Sequence, residues 1–133
     1  MRRVPTIVLA LMMLINFGRG CIHAFAPDGG AHSIAGLDLS QNGQTILSLF
    51  AVMGFQQIVM GLFQLYVLAW RRELVAVALA LQTIETALGV ANLYFYRPMP
   101  VPVPGAPFNA VLLALLVAAT ALAFARPSQS AAR

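Results

Sequence analysis

Residues 74–96, LVAVALALQTIETALGVANLYFY, contain one charged side chain, that of Glu85, in an otherwise uncharged run. A helix rises by about 1.5 Å per residue, so a run of this length crosses the roughly 30 Å of hydrocarbon in a bilayer. An ionisable group at membrane depth costs roughly 2.5 kcal/mol or more on insertion scales, and by default it marks a function or a buried pair. The segment therefore predicts a transmembrane helix in which Glu85 either serves a function or belongs to a buried ion pair.

The whole chain shares this composition, since 60% of its 133 residues are hydrophobic and 9% are charged. A soluble domain carries about 25% charged residues, so a chain this apolar could not cover its surface with polar groups in water. Backbone groups in lipid must satisfy one another, which favours helices. We predict an all-α integral membrane protein, a single antiparallel four-helix transmembrane bundle over residues 1–133. The predicted spans are 4–25, 44–70, 73–96 and 108–125.

Arginine placement orients these spans. Six of the eight basic residues fall on one side of an antiparallel bundle: Arg2, Arg3, Arg71, Arg72, Arg126 and Arg133. Arg97 falls on the other side, and Arg19 lies near the end of the first span. The positive-inside rule therefore predicts that both termini are cytoplasmic. Because the arginines follow the spans, they do not indicate a nucleic-acid partner. The short link 71–73 makes the second and third spans hairpin neighbours.

The first span also has features of a secretory signal peptide. Arg2 and Arg3 precede an apolar run, and Ala24-Phe25-Ala26 imitates a cleavage site. However, Pro27 would follow the cut directly, and the charge of Arg19 stands where the site should be neutral. We expect an uncleaved first helix.

Polar residues recur at helical spacing on three of the four spans. Lipid cannot solvate such stripes, so we expect them to turn inward and face each other. Helical rise places Asn16, Gln57 and Glu85 near the midplane. His23 and Asn92 lie toward the outside, with Arg19 between the two layers. The stripes are Asn16, Arg19 and His23; Gly54, Gln57, Gly61 and Gln64; and Gln82, Glu85, Gly89 and Asn92.

Two interpretations of the stripes stay open. In the first, Arg19 and Glu85 neutralise each other, and the amides fix how the helices dock. In the second, the stripes line a cavity that opens outward and binds a lipophilic molecule with a polar head, such as a quinone, an isoprenoid or a lipid. The amides would orient that head and Glu85 would exchange a proton with it. Without an arginine partner, Glu85 could also serve a proton relay with His23 as its outer member.

A second constellation lies in or beside the first connecting loop. Two imidazoles and two carboxylates suit Zn²⁺ or another divalent ion. Their spacing matches no tight ligand motif, and loop His and Asp residues more often form turns. We therefore expect turn-forming residues here, with a divalent metal as the alternative. The four residues are His23, Asp28, His32 and Asp38.

Familiar catalytic motifs are absent from the sequence: it has no G-x-S-x-G, no P-loop, no Rossmann glycine pattern and no C-x-x-C. The preferred function is a non-enzymatic binding or accessory protein that holds a small lipophile or a partner subunit. One alternative is a proton-coupled carrier or channel that acts as an oligomer. The other is a membrane oxidoreductase or isomerase on a lipid-like substrate, with Glu85 and His23 as acid and base. The sequence specifies no cofactor beyond such a quinone or lipid.

The overall plan resembles the small bacterial four-helix membrane proteins called DoxX-like. The resemblance rests on the chain length, the four spans, both ends inside, and Gly18-Arg19-Gly20 late in the first helix. It implies a multi-pass protein with accessory or subunit roles in membrane redox systems, and no functional residue is carried over. We expect the protein in the bacterial inner membrane, with lipids, a partner membrane subunit or further copies of the chain as its partners.

Overall fold

The computed structural model describes residues 3–99 and 102–125 and contains four long helices. They are α1 (Arg3–Phe25), α2 (Gly43–Trp70), α3 (Val75–Ala91) and α4 (Ala106–Phe124). A 3₁₀ turn at Arg72–Leu74 precedes α3, and a π-helical turn at Asn92–Tyr96 extends it. By length and composition, α1, α2, the continuous segment Arg72–Tyr96 and α4 can each cross a membrane. The prediction of an all-helical chain with four such segments is confirmed, and each predicted end lies within two residues of the observed one.

The residues that orient the bundle are only partly described. Arg2, Arg126 and Arg133 lie outside the described residues, as do Pro100 and Val101. Orientation follows from the positions of arginines along the chain and not from the helix coordinates. The cytoplasmic placement of both termini therefore stays a prediction.

The helices α1 and α2 pack closely in antiparallel orientation. At their tightest point, a Cβ added to Gly54 would lie 2.6 Å from the backbone nitrogen of Ala24 and 2.7 Å from the carbonyl oxygen of Gly20. Further along, a Cβ on Gly61 would lie 3.3 Å from the ring of Phe17. Small residues at a helix contact let the backbones approach. The glycines of the α2 stripe thus dock α2 on α1.

The helices α3 and α4 form the second packed pair. The hydroxyl groups of Thr83 and Thr120 lie 2.8 Å apart, and Thr83 also donates to the carbonyl oxygen of Leu79 at 2.7 Å. By contrast, α2 and α3 touch mainly near the short link that joins them. The two spans meet again where Gln64 bonds to Gln82, but the larger contact of α2 is with α1. The close glycine contact holds α2 on α1, and α1 also packs against α3 and α4.

The apolar core lies in the half of the bundle that contains the α2–α3 link. Its buried residues are Val8, Leu9, Met12, Val67, Val75, Ala78, Leu79, Leu112, Leu116 and Ala119. In the described chain, no residue of α3 after Gln82 is buried. Gly89 lies two turns beyond Gln82 on the same helix face, yet it is exposed, and a Cβ there would meet no described atom within 4 Å. Burial of α3 therefore ends at Gln82, and its side chains beyond that residue are half-buried or exposed. We call this part of the bundle the open end and the part with the link the closed half.

We predict that Gly54→Ala destabilises the protein, because its new methyl group would meet backbone atoms that cannot move independently of the helices. Overpacking of this kind costs about 1–3 kcal/mol. Gly89→Ala is the matched control, and it should be neutral or slightly stabilising because alanine is the better helix former. Thermal unfolding in detergent would compare the two. Equal melting temperatures for both variants would contradict the close contact between α1 and α2.

Candidate functional site

Three carboxamides meet where the closed half of the bundle ends. The Nδ2 of Asn16 donates to Oε1 of Gln64 at 3.0 Å and to Oε1 of Gln82 at 2.7 Å. The Nε2 of Gln64 donates to the same Gln82 oxygen at 2.6 Å. All three side chains are buried, with Gln64 fully so. We call these residues the amide cluster. Because each comes from a different helix, their hydrogen bonds tie α1, α2 and α3 together.

Glu85 continues the cluster toward the open end. The Nε2 of Gln82 donates to Oε2 of Glu85 at 3.0 Å, with a longer contact of 3.4 Å to the hydroxyl of Thr86. Glu85 itself is exposed, and among the described residues its other carboxylate oxygen has no hydrogen-bond donor. The carboxylate is thus held on one side by the protein and is open on the other. A carboxylate can accept several hydrogen bonds, so it retains free capacity.

Arg19 reaches a different helix from the one predicted. Its Nη1 donates to Oδ1 of Asn109, in the first turn of α4, at 3.0 Å. Within the described part of the chain, no charged nitrogen of Arg19 lies within 4.0 Å of a Glu85 oxygen, although the two charges attract each other. The predicted direct ion pair is therefore not formed. Gln82 holds Glu85 on α3, and Asn109 holds Arg19 against α4, so the two charges remain apart.

The candidate site is formed by side chains of α1, α3 and α4 at the open end of the bundle, beyond the amide cluster. We call it the charged cleft and define it by four residues, namely Arg19, Asn109, Gln82 and Glu85. A guanidinium has five N–H donors, and the described residues accept one hydrogen bond from Arg19. Both charged groups therefore keep unused hydrogen-bonding capacity within segments that are long and apolar enough to cross a membrane. The amide cluster lies on the inner side of the charged cleft, and no residue of α3 on the outer side is buried in the described chain.

Gln57 does not join this arrangement. It is half-buried, and its Oε1 is buried without a hydrogen-bond partner among the described residues. The α2 partner of Asn16 is Gln64 and not Gln57, the residue that helical rise predicted at the same depth. The contacts of Gly54 and Gly61 with α1 set the register of α2, and this register brings Gln64 level with Asn16.

The predicted outer layer of His23 and Asn92 is also not formed. The Nδ1 of His23 lies 2.7 Å from the carbonyl oxygen of Gly29, and because a carbonyl only accepts, the imidazole is the donor. Its ring packs edge-on against Phe50, with centroids 5.3 Å apart. Asn92 is exposed and begins the π-helical turn, where its carbonyl accepts from the backbone N–H of Arg97 at 2.9 Å. His23 therefore anchors the loop that follows α1.

Asp28 organises that loop. One carboxylate oxygen accepts from the backbone N–H of Gly30 at 2.9 Å, and the other accepts from the backbone N–H of Ser33 at 2.7 Å. These backbone donors, Ser33 first, lower the pKa of Asp28 to about 2. The pattern is a local turn in which a short acidic side chain bonds to backbone N–H groups two and five residues ahead.

The other candidate metal ligands behave in the same way. Asp38 accepts from the backbone N–H of Ser40 at 2.8 Å and from its hydroxyl at 2.9 Å. His32 donates from Nδ1 to the carbonyl oxygen of Leu37 at 3.2 Å. Over the residues that the structure describes, no three His, Cys, Asp or Glu side chains come together as a metal site. The four predicted ligands thus serve separate turns and do not converge.

The stripes do not line one common cavity, because the amide cluster fills the space between three of the helices. Elsewhere, a groove of about 550 Å³ lies along α2. A smaller hollow of about 210 Å³ lies under the connection between α3 and α4. Neither is lined by the residues of the charged cleft. The charged cleft is therefore defined by its side-chain contacts and not by either of these cavities.

The sequence analysis did not identify Asn109 as a site residue, and it did not predict a hydrogen-bond partner for Gln64. Asn109 is the one polar residue in the run 108–119, and an isolated amide in so apolar a span was the available signal. Gln64 was already part of the α2 stripe, but helical rise alone could not select it over Gln57.

Comparison of the chain with family models, with curated proteins and with solved structures finds no match. The resemblance to DoxX-like proteins therefore stays a prediction.

We predict that Gln82→Leu costs about 1–3 kcal/mol, because it leaves the buried amides of Asn16 and Gln64 without their shared acceptor. Gln57→Leu is the matched control. It removes a buried oxygen that lacks a partner, so stability should not fall. Unfolding in mixed detergent micelles would compare the two variants. A larger loss for Gln57→Leu would contradict the hydrogen-bond assignment.

We also predict that Asp28 stays ionised down to about pH 2. Its pKa in the folded loop lies below the ordinary value of about 3.9. The stabilisation from its two backbone bonds is therefore complete above about pH 4 and is lost as the pH falls through about 2. The NMR chemical shift of the Ser33 amide proton should change with pH with that midpoint. In Asp28→Ala this change should be absent. A midpoint near 4 would show that the carboxylate does not accept these bonds.

Proposed function

We propose that this protein binds the polar head of a lipophilic molecule in the charged cleft and acts without catalysing a reaction. The observation that carries the proposal is the separation of Arg19 and Glu85. Both lie within membrane-spanning segments, and each bonds to an amide and not to the other. Charged groups at membrane depth normally pair or face a polar pathway. A polar head between the two groups would provide the missing partner for both.

The chemistry of the cleft narrows the ligand class. Arg19 offers donors, which suit a carbonyl, hydroxyl or phosphate oxygen. Glu85 offers an acceptor when ionised and a donor when protonated, so it suits a hydroxyl group or a quinone oxygen. A quinone, an isoprenoid alcohol or a lipid carries such a head on an apolar tail. The tail would remain among the lipid chains outside the cleft.

The shape of the bundle supports lateral entry from the open end. The apolar core and the amide cluster close the other half, and Gly89 leaves space on α3 beyond Glu85. With both termini in the cytoplasm, as the arginine distribution favours, the open end faces outward. The proposed location is the bacterial inner membrane. An accessory role beside a redox subunit accords with the resemblance to DoxX-like proteins.

The two alternative functions have less support. A proton-coupled carrier needs a polar path across the membrane, and apolar side chains fill the closed half of the described chain. That function would require an oligomer with a path between copies. An enzyme that uses Glu85 and His23 as acid and base would need the two near one substrate. In the described chain, His23 bonds to Gly29 and Glu85 bonds to Gln82.

The test is native mass spectrometry of the protein in lipid nanodiscs, together with titration of a short-chain benzoquinone. The wild type should retain a small molecule or bind the quinone. Glu85→Gln and Arg19→Gln should each weaken binding by roughly tenfold or more, since each removes a charge-assisted contact. Glu73→Gln and Arg97→Gln are matched controls on exposed residues outside the cleft, and they should bind as the wild type does.

Circular dichroism and thermal unfolding of each variant would show that the fold is retained. If folded Glu85→Gln and Arg19→Gln bind as tightly as the control variants, the proposal is contradicted. So would a wild-type protein that carries no small molecule and binds no quinone.

A further inference from the structure

Gln56 presents a carboxamide to the membrane at the middle of α2. It is exposed, and within the described chain its side chain makes no hydrogen bond. It lies about 20 Å from either end of the helix by rise alone. The group has two N–H donors and one carbonyl acceptor, and hydrocarbon satisfies none of them. Such a group needs a polar partner at the same depth.

The surface around Gln56 is apolar and shallow. The groove of about 550 Å³ is lined by Val52, Phe55, Gln56, Val59, Met60 and Phe63. These residues lie on the side of α2 turned away from Gly54 and Gly61, which pack on α1. Gln56 is the polar member of the lining. The face is therefore separate from the charged cleft, and the proposal made here does not depend on the proposed function.

The spacing on this face is that of a coiled coil. Positions 52, 56, 59 and 63 alternate steps of four and three residues, which is the seam of a left-handed helix pair. The side chains of Val52 and Val59 are 53% and 64% exposed, and Gln56 between them is exposed too, whereas Phe63 is half-buried against the core. The chain's own helices therefore leave the seam uncovered at positions 52, 56 and 59. One polar residue within an otherwise apolar seam sets the register and the number of strands. Gln56 occupies that position.

We propose that two copies of this chain associate through this face of α2, with the two Gln56 side chains bonded to each other. In one membrane both copies have the same orientation, so a twofold axis along the membrane normal brings identical residues together at identical depth. A carboxamide is self-complementary, since each Gln56 donates an N–H to the other's carbonyl oxygen. Val52, Val59 and Phe63 pack on either side of this pair.

A bound lipid explains the face less well. Lipid head groups lie about 15 Å from the midplane, and lipid tails carry no hydrogen-bonding group. A tail could fill the groove but would leave the amide unsatisfied. A second α2 helix supplies both the apolar side chains and the polar partner. Interhelical hydrogen bonds of this kind and left-handed packing are common between transmembrane helices.

The first experiment measures self-association in liposomes by single-molecule photobleaching at a series of protein-to-lipid ratios. The wild type should be dimeric. Gln56→Leu should weaken dimerisation by roughly tenfold, and Gln56→Asn, which keeps the amide, should recover part of the loss. Gln44→Leu is the matched control on the same helix and should dimerise as the wild type does. A monomeric wild type, or equal dimerisation of Gln56→Leu, would overturn the proposal.

The second experiment locates the interface with a short bismaleimide cross-linker in a Cys21→Ser background. Val59→Cys lies on the proposed seam and should cross-link. The native Leu65 side chain is 41% exposed but lies on another side of α2. Leu65→Cys should therefore not cross-link. Cross-linking of both positions to the same extent would overturn the proposed face. A monomer in which Gln56→Leu releases a bound small molecule would assign the groove to a ligand and also overturn it.

Discussion

The structure depends on one constraint, which is that hydrocarbon offers no hydrogen bonds to a polar group. The amide cluster meets this constraint within the chain, because Asn16, Gln64 and Gln82 satisfy one another where three helices meet. Apolar packing on one side of the cluster needs no such partners and closes that half of the bundle. On the other side no residue of α3 is buried in the described chain, and Arg19 and Glu85 bond to amides and not to each other. The position of the cluster therefore separates a closed half from an open half.

Backbone contacts, and not polar ones, decide which amides meet. The near contact of Gly20 with Gly54 fixes both the separation and the register of α1 and α2. That register brings Gln64 to Asn16 and leaves the oxygen of Gln57 buried without a partner in the described chain. A single unsatisfied acceptor costs about 1–3 kcal/mol. A tightly packed pair of long helices can offset this amount, so packing wins over complete polar satisfaction.

The sequence predicted the helices well because membrane thickness and apolar composition act on each span separately. It also predicted which faces carry polar residues, since helical periodicity is local. It could not select Gln64 over Gln57, because both lie on one face and only the glycine contacts distinguish them. The pairing of Arg19 with Asn109 required the position of α4, which no local pattern encodes. The presence of Asp28 in the sequence did not indicate a metal ligand, because its carboxylate accepts hydrogen bonds from backbone N–H groups of its own turn.

The two surfaces that carry unsatisfied polar groups are connected through a short path. Gln56 lies two residues from Gly54 on α2, and Gly54 touches the backbone at Gly20 of α1. Gly20 follows Arg19 directly, so a shift of α1 against α2 would also move the backbone that carries the guanidinium. Backbone-to-backbone contacts transmit such shifts without slack, because no flexible side chain lies between. Association through α2 and binding in the charged cleft would then act on the same helix pair, and coupling between the two sites would require that this pair adopt two arrangements.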